Sequence, residues 1–205
     1  MPLNAVARKP DAPARPQKRD AILRAAIDVF AERGYFNAQV ADVARAAGVA
    51  AGTVYLYFKS KDDLHVSIFE RSMREGLAHS RAAVENLGDP RERLHCLARG
   101  HLARLGSDRK LAIVFQVELR QSTKFMERFS STLLRDYLGL IREAIADGQR
   151  QGLFRADLKP TSAAKMLFGA LDEMATNWIL SRRRYSLEAD ADAVVDLFIN
   201  GARAR

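Results

Sequence analysis

Apolar side chains recur every three to four positions along almost the whole chain, and this spacing does most to limit the folds open to it. Ile22, Ala26, Val29 and Phe30 form one such stripe, and Leu64, Ile68, Phe69, Met73, Leu77 and Val84 form another. The period-two alternation of a half-buried strand is missing, as is an Asn-Gly or Asp-Gly turn between β-branched runs. Glycines and cap residues punctuate the stripes: Gly34, Gly48, Ser60, the Asp89-Pro90 pair and "GSD" at 106–108. The pattern predicts an all-α chain of about nine helices. They fall over about Lys18–Arg33, Val40–Ala47, Ala51–Phe58, Lys61–Asn86, Pro90–Leu105, Lys110–Gln121, from a Thr123 cap to about Gln151, Pro160–Ser181 and Ser186–Ala202.

The charge is unevenly spread. Of the net +8, residues 1–61 carry ten Lys/Arg against five Asp/Glu, and the remaining 144 residues carry 23 against 20. An excess concentrated in the first third points to an anionic partner, nucleic acid ahead of a membrane surface, or to a soluble basic tail. The stretch "MPLNAVARKPDAPARPQKRD" lacks the apolar segment of a signal peptide, and residues 1–16 read as a flexible basic arm. One cysteine, Cys96, excludes an internal disulfide and a cysteine-rich metal site and fits a reducing cytoplasm. No apolar run approaches the ~18 residues of a membrane span.

Residues 34–58 read as helix, short turn, helix, with "AAGV" as the corner. Gly48 supplies the left-handed backbone, while Ala44, Ala46 and Ala47 allow close helix approach and Val43, Val49 and Val54 fill the gap. That is a helix-turn-helix, whose second helix enters a major groove, or alternatively a compact corner with amphipathic tyrosines on its surface. On the first reading Thr53, Tyr55 and Tyr57 offer hydroxyls to phosphates or base edges, and Lys59 and Lys61 add charge at the next helix start.

The segment "GYFNAQVADVARAAGVAAGTVYLYFKSKDDL" resembles the DNA-binding domain of TetR-type bacterial regulators. The resemblance rests on Gly34–Tyr35, the "VA..AGV" corner, "GT.Y.YF" and "K.K..L". It implies an N-terminal three-helix helix-turn-helix domain over 17–60 and a C-terminal ligand-binding and dimerisation domain over 61–205. It further implies a homodimeric repressor that leaves double-stranded operator DNA when a small molecule binds. Carried over by position, the DNA contacts fall on Thr53, Tyr55, Tyr57 and Lys61, with Ala51 and Gly52 near the bases. Ala38 and Gln39 stand where many members have Ser or Thr, so Gln39 becomes the phosphate contact at the start of the second helix.

Farther along, "LAIVFQVELRQS", "YLGLIREAIADGQRQGLF" and "FGALDEMATNW" resemble a narrower group, the TetR-type repressors of fatty-acid degradation of the acyl-CoA-responsive FadR kind. The implied effector is a long-chain acyl-CoA, with no cofactor. Leu102, Leu105, Phe115, Leu119, Phe129, Leu133, Tyr137, Phe168, Leu171 and Trp178 are enough to line an acyl tunnel, and each alone is equally an ordinary core residue. Arg99, Arg104, Arg109, Lys110, Arg120, Lys124 and Arg128 share one third of the chain and suit phosphates, or else pair with Glu118, Glu127 and Asp172. Arg120 is expected to be half-buried against Glu118 or Asp172. Gln116, Gln121, Asp172, Thr176 and Asn177 are polar residues among apolar ones, suited to a thioester or to a structural network. Met166, Ala170, Val194, Leu197 and Phe198 exceed what one bundle buries, which predicts a dimer through the last two helices. Two rival readings keep other functions open: the same fold sensing a drug, with Asp172, Glu173 and Trp178, or an acyl-CoA enzyme using Cys96 with His95 or His101. The enzyme reading lacks a nucleophile elbow, phosphate loop or metal-ligand set.

Overall fold

The computed structural model describes residues 15–118 and 132–203. Nine α-helices and no strand occur among the described residues. They are α1 (Arg15–Arg33), α2 (Val40–Ala46), α3 (Ala51–Tyr55), α4 (Lys61–Val84), α5 (Pro90–Ser107), α6 (Arg109–Ile113), α7 (Thr132–Arg150), α8 (Pro160–Leu180) and α9 (Asp190–Ala202). Helix α6 runs straight into one π turn, Val114–Glu118, and a 3₁₀ turn, Leu187–Ala189, precedes α9. Residues 1–14 of the expected arm, the expected Thr123 cap, and Leu119, Arg120, Gln121, Lys124, Arg128 and Phe129 lie outside the described residues.

The expected stops and starts act as anticipated. Gly34 (φ 74°) and Gly48 (φ 67°) hold the left-handed conformation that ends α1 and turns α2 into α3. The Ser60 hydroxyl accepts the Asp63 N–H at 3.1 Å, and the Asp89 carboxylate accepts the Arg91 N–H at 2.8 Å. One element differs. The helix expected over Lys110–Gln121 is regular only to Ile113, because the buried Gln116 and Glu118 that follow are bonded to groups 56 and 83 positions away. Those partners are invisible to local periodicity.

Two apolar cores form. In the head, Ile22, Phe30, Val43, Val54 and Phe58 are within 1% of full burial, and each contributes roughly 1.5–3 kcal/mol on leaving water. This core reaches beyond the expected boundary at residue 60. It takes in Leu64, Ile68 and Phe69 of α4 and Val114 of the π turn. The second core gathers Leu77, Leu94, Leu97, Ile141, Ile145, Leu167 and Leu171 from α4, α5, α7 and α8. Helix α4 therefore belongs to both cores.

At the end of α7 the chain turns back through Gly152 (φ 70°), and Phe154 folds onto the helix it has just left. A Cβ on Gly148 would sit 2.2 Å from the Phe154 ring, far inside van der Waals contact. Gly148→Ala is expected to cost about 1–3 kcal/mol, read as a shift of the urea unfolding midpoint.

Candidate functional site

The first candidate surface lies on α2, α3 and their flanks. Val43 and Val54 are buried between the two helices, and this fixes which residues point outward. Gln39, Ala51, Gly52, Tyr55 and Lys59 are exposed, while Thr53 and Tyr57 are half-buried with one side open. Gln39 heads α2, where its N–H donates to the Asp42 carboxylate at 3.1 Å. That bond, with Arg33 and Arg45 beside it, holds Asp42 below the usual carboxylate range.

Two residues on this surface escaped the sequence reading in different ways. Leu56, just after α3, is 83% exposed, the most exposed of the large apolar side chains among the described residues. It occupies the variable position inside "GT.Y.YF", so a motif-based reading passes over it. An apolar group there suits contact with a thymine methyl. Lys61 was expected to meet DNA, yet its ammonium is turned inward. It donates to the carbonyl oxygens of Tyr35 at 2.8 Å and Ala38 at 2.9 Å and lies 4.4 Å from the Tyr35 ring centre. Its charge is occupied in holding the α1–α2 loop.

The second candidate site is a cavity of about 420 Å³ in the body. Its walls include Leu105, Phe115, Tyr137, Phe168 and Asp172, all expected at a ligand site. Leu102, Leu171 and Trp178, also expected there, are core residues instead, and Leu133, expected there too, is half-buried against that core. Leu102 and Leu171 are within 1% of full burial, and Trp178 donates its Nε1–H to the Tyr185 carbonyl at 3.0 Å. Small residues complete the cavity: Ser72, Gly76, Ser80 and Ala83 along α4, Cys96 and Gly100 along α5. Their i, i+4 spacing (72, 76, 80 and 96, 100) was legible in the sequence, but large apolar residues drew the attention. A void lies where side chains are short.

Polar groups on the wall are few. Gln116 donates Nε2–H to the Asp172 carboxylate at 2.7 Å and accepts the Thr176 hydroxyl at 3.2 Å, so three of the polar residues noticed in the sequence form a network, while Asn177 bonds Glu173 instead. His101 packs against Tyr137 and Phe168, and its buried Nε2 has no hydrogen bond among the described residues. Burial pushes its pKa down to about 4.

Of the expected phosphate-binding cations, Arg104 alone among the described residues borders this cavity, with Ser72 and Glu75 as its partners. Arg99 pairs with Asp192, Arg109 caps the carbonyls of Trp178, Ile179 and Ser181, and Lys110 reaches Asp28 and Glu32. They therefore scatter rather than cluster. His95 lies between Asp192 and Asp196, away from Cys96, whose Sγ faces the Ala83 carbonyl.

Head and body meet along α1, α4, α6 and the π turn. Arg24 pairs with Asp108, and Lys110 with Glu32 at 2.7 Å. Deeper in the seam, the buried Glu118 carboxylate accepts the Tyr35 N–H at 2.6 Å. The Tyr35 hydroxyl donates to Asp62, and burial with that carboxylate raises the phenol well above its ordinary pKa. His65 is fully buried among Phe30, Tyr35 and Phe69, and burial lowers its pKa to about 4.

Comparison with known proteins agrees with this arrangement. Residues 22–68 match the family described as bacterial regulatory proteins, tetR family, and residues 69–201 match the YsiA-like protein, C-terminal region. The fatty acid metabolism regulator protein of Bacillus subtilis is 34% identical over 180 residues, spanning 88% of this chain and 93% of its own. The fatty acid degradation regulator FadR of Bacillus halodurans superposes with a TM-score of 0.83 at 40% identity, covering 90% of this chain and 99% of that one. FadR of B. subtilis, solved in complex with stearoyl-CoA, superposes at 0.84 with 34% identity and the same coverage.

The two buried histidines carry a pH dependence. An unfolded chain takes up protons at both near pH 6.5, whereas the folded rings resist until about pH 4. Their contribution is complete above pH 6.5 and is lost as the pH falls toward 4, on the order of 2–3 kcal/mol each. Urea unfolding between pH 7 and 4 is expected to show this loss, and His65→Phe to remove about half of it.

Proposed function

The chain belongs to the TetR family of bacterial regulatory proteins, and from that premise we propose that it represses fatty-acid degradation genes and leaves its operator on binding a long-chain acyl-CoA. The observation that carries the effector reading is the cavity: about 420 Å³, lined by apolar side chains such as Leu77, Leu105, Phe115 and Phe168 and by polar groups that include Gln116, Asp172, His101 and Arg104. An acyl chain takes the apolar space, where its transfer from water contributes about 0.8 kcal/mol per methylene. The Gln116–Asp172–Thr176 network and the His101 Nε2 supply hydrogen-bonding groups suited to the thioester and pantetheine of such a ligand. Arg104 supplies a cation for a phosphate. The stearoyl-CoA held by the B. subtilis relative supports the same choice.

On the DNA side, Gln39, Ala51, Gly52, Thr53, Tyr55, Tyr57 and Lys59 form the reading surface, with Leu56 added to it. Lys61 acts from behind by holding the loop that orients it. A homodimer fits the apolar face of the last two helices, where Met166 is 71% exposed, Leu180 72% and Leu197 78%. Two-fold symmetry would set the recognition helices about 34–36 Å apart, on half-sites in successive major grooves.

Gel shift on a duplex from the protein's own upstream region is expected to show retention without ligand and release with stearoyl-CoA but not with a cationic drug. Release by the drug alone would overturn the effector reading. Gly100 has open space where a Cβ would stand, so Gly100→Leu fills the cavity. It is expected to weaken stearoyl-CoA binding at least about tenfold, near 1.4 kcal/mol, while operator binding persists. Leu197→Glu is expected to convert a dimer to a monomer in sedimentation velocity and to abolish operator retention.

A further inference from the structure

The π turn Val114–Glu118 places successive side chains in different parts of the molecule. Val114 is fully buried in the head's core. Phe115 lines the cavity and packs on Phe69 of α4, ring centres 4.5 Å apart. Gln116 lines the cavity and is bonded to Asp172 and Thr176 of α8. Two residues on, Glu118 grips the Tyr35 N–H. Within five residues the backbone thus touches the ligand space at one point and the DNA-reading head at another. Single π turns recur at functional sites because an extra residue in the turn is held there by its partners rather than by propensity.

The far end of this turn meets a short loop whose Tyr35 and Ala38 are buried in the head's core. Residues 34–38 connect α1 to α2 and so lead directly into the helix-turn-helix. They are held on one side by Lys61 and Asp62 of α4 and on the other by the Glu118 carboxylate, and a Cβ on Gly34 would lie 3.7 Å from that carboxylate. A hydrogen bond to a buried charged acceptor is of the stronger kind, so its presence or absence can bias two arrangements of the loop.

We propose that the Glu118–Tyr35 bond is a clamp that holds the head in its operator-binding arrangement, and that a ligand entering the cavity releases it by shifting Phe115 and Gln116 on the same π turn. This rests on the acyl-CoA reading for the identity of the ligand, but not for the clamp itself. The clamped arrangement binds operator and the released one binds ligand, so the two affinities are linked with opposite sign. Glu118 does not line the cavity, so its removal takes nothing from the ligand.

The test uses full-length Glu118→Ala and Glu118→Gln with an operator duplex selected from random DNA by the wild-type protein. Glu118→Ala is expected to weaken operator binding at least about tenfold and to tighten stearoyl-CoA binding to the DNA-free protein, within the usual range of allosteric couplings. Hydrogen exchange over residues 33–40 should then match that of the ligand-bound wild type. Glu118→Gln keeps an acceptor and is expected to restore most of the operator binding. Retained operator affinity in Glu118→Ala overturns the clamp, and so does operator loss with stearoyl-CoA binding unchanged or weakened, since a merely structural defect lowers both. A wild-type protein indifferent to stearoyl-CoA overturns the effector reading alone. The clamp is then decided by Glu118→Ala without ligand: faster exchange at 33–40 with weaker operator binding supports it, and unchanged values overturn it.

Discussion

The structure depends on how one five-residue loop, Gly34 to Ala38, is fixed between two bodies. The loop buries Tyr35 and Ala38 in the head's core, and its backbone groups must find partners elsewhere. They find them in the Lys61 ammonium and in the Glu118 carboxylate, the latter delivered by a turn 83 positions later in the chain, while the Asp62 carboxylate takes the Tyr35 hydroxyl. Without those bonds α2 and α3 would still pack on each other through Val43 and Val54 and on α4 through the shared core of Leu64, Ile68 and Phe69, but the loop that leads into them would lose its polar anchors.

Helix α4 is the mechanical consequence. Its first turns are inside the head's core through Leu64, Ile68 and Phe69, and its later turns belong to the body through Leu77. A rigid helix shared by two cores transmits rotation, whereas a linker would absorb it. The same helix contributes the short side chains Ser72, Gly76 and Ser80 to the cavity. The cavity therefore borders an element that is itself embedded in the head. The ion pairs across the seam, such as Arg24 with Asp108 and Lys110 with Glu32, are partly solvated and add little stability, so the interface is closed without being locked.

The cavity itself is a departure from ordinary packing. Interiors normally fill to crystal-like density, and an apolar void costs stability in proportion to its size. Here the lining includes the short side chains Ser72, Gly76, Ser80 and Ala83 of α4 and Cys96 and Gly100 of α5. Asp172 and Gln116 are bonded to each other on its wall. A protein that needs only stability would fill this space, while one that must respond to an apolar molecule leaves it open.

The all-α class, the helix-turn-helix and most helix ends were legible in the sequence because they are local: a 3.6-residue period, a glycine at a positive φ, a serine or aspartate before the first turn. The outward-facing residues of α3 were legible for the same reason, since helix phase alone decides which side Val54 buries and which side Tyr55 exposes. The ligand site was read only in part. Phe115, Tyr137, Phe168 and Asp172 are at the cavity, but Leu102, Leu171 and Trp178 are solid core, because periodicity shows that a side chain points inward and not whether another meets it there. Lys61 read as a DNA contact and Glu118 as one of the carboxylates open to the basic residues, among them Arg120, which lies outside the described residues. Only tertiary structure could decide that the first holds a loop and the second grips the N–H of Tyr35. A hydrogen bond between groups 83 positions apart leaves no mark on either neighbourhood, and its geometry exists only once both cores have formed.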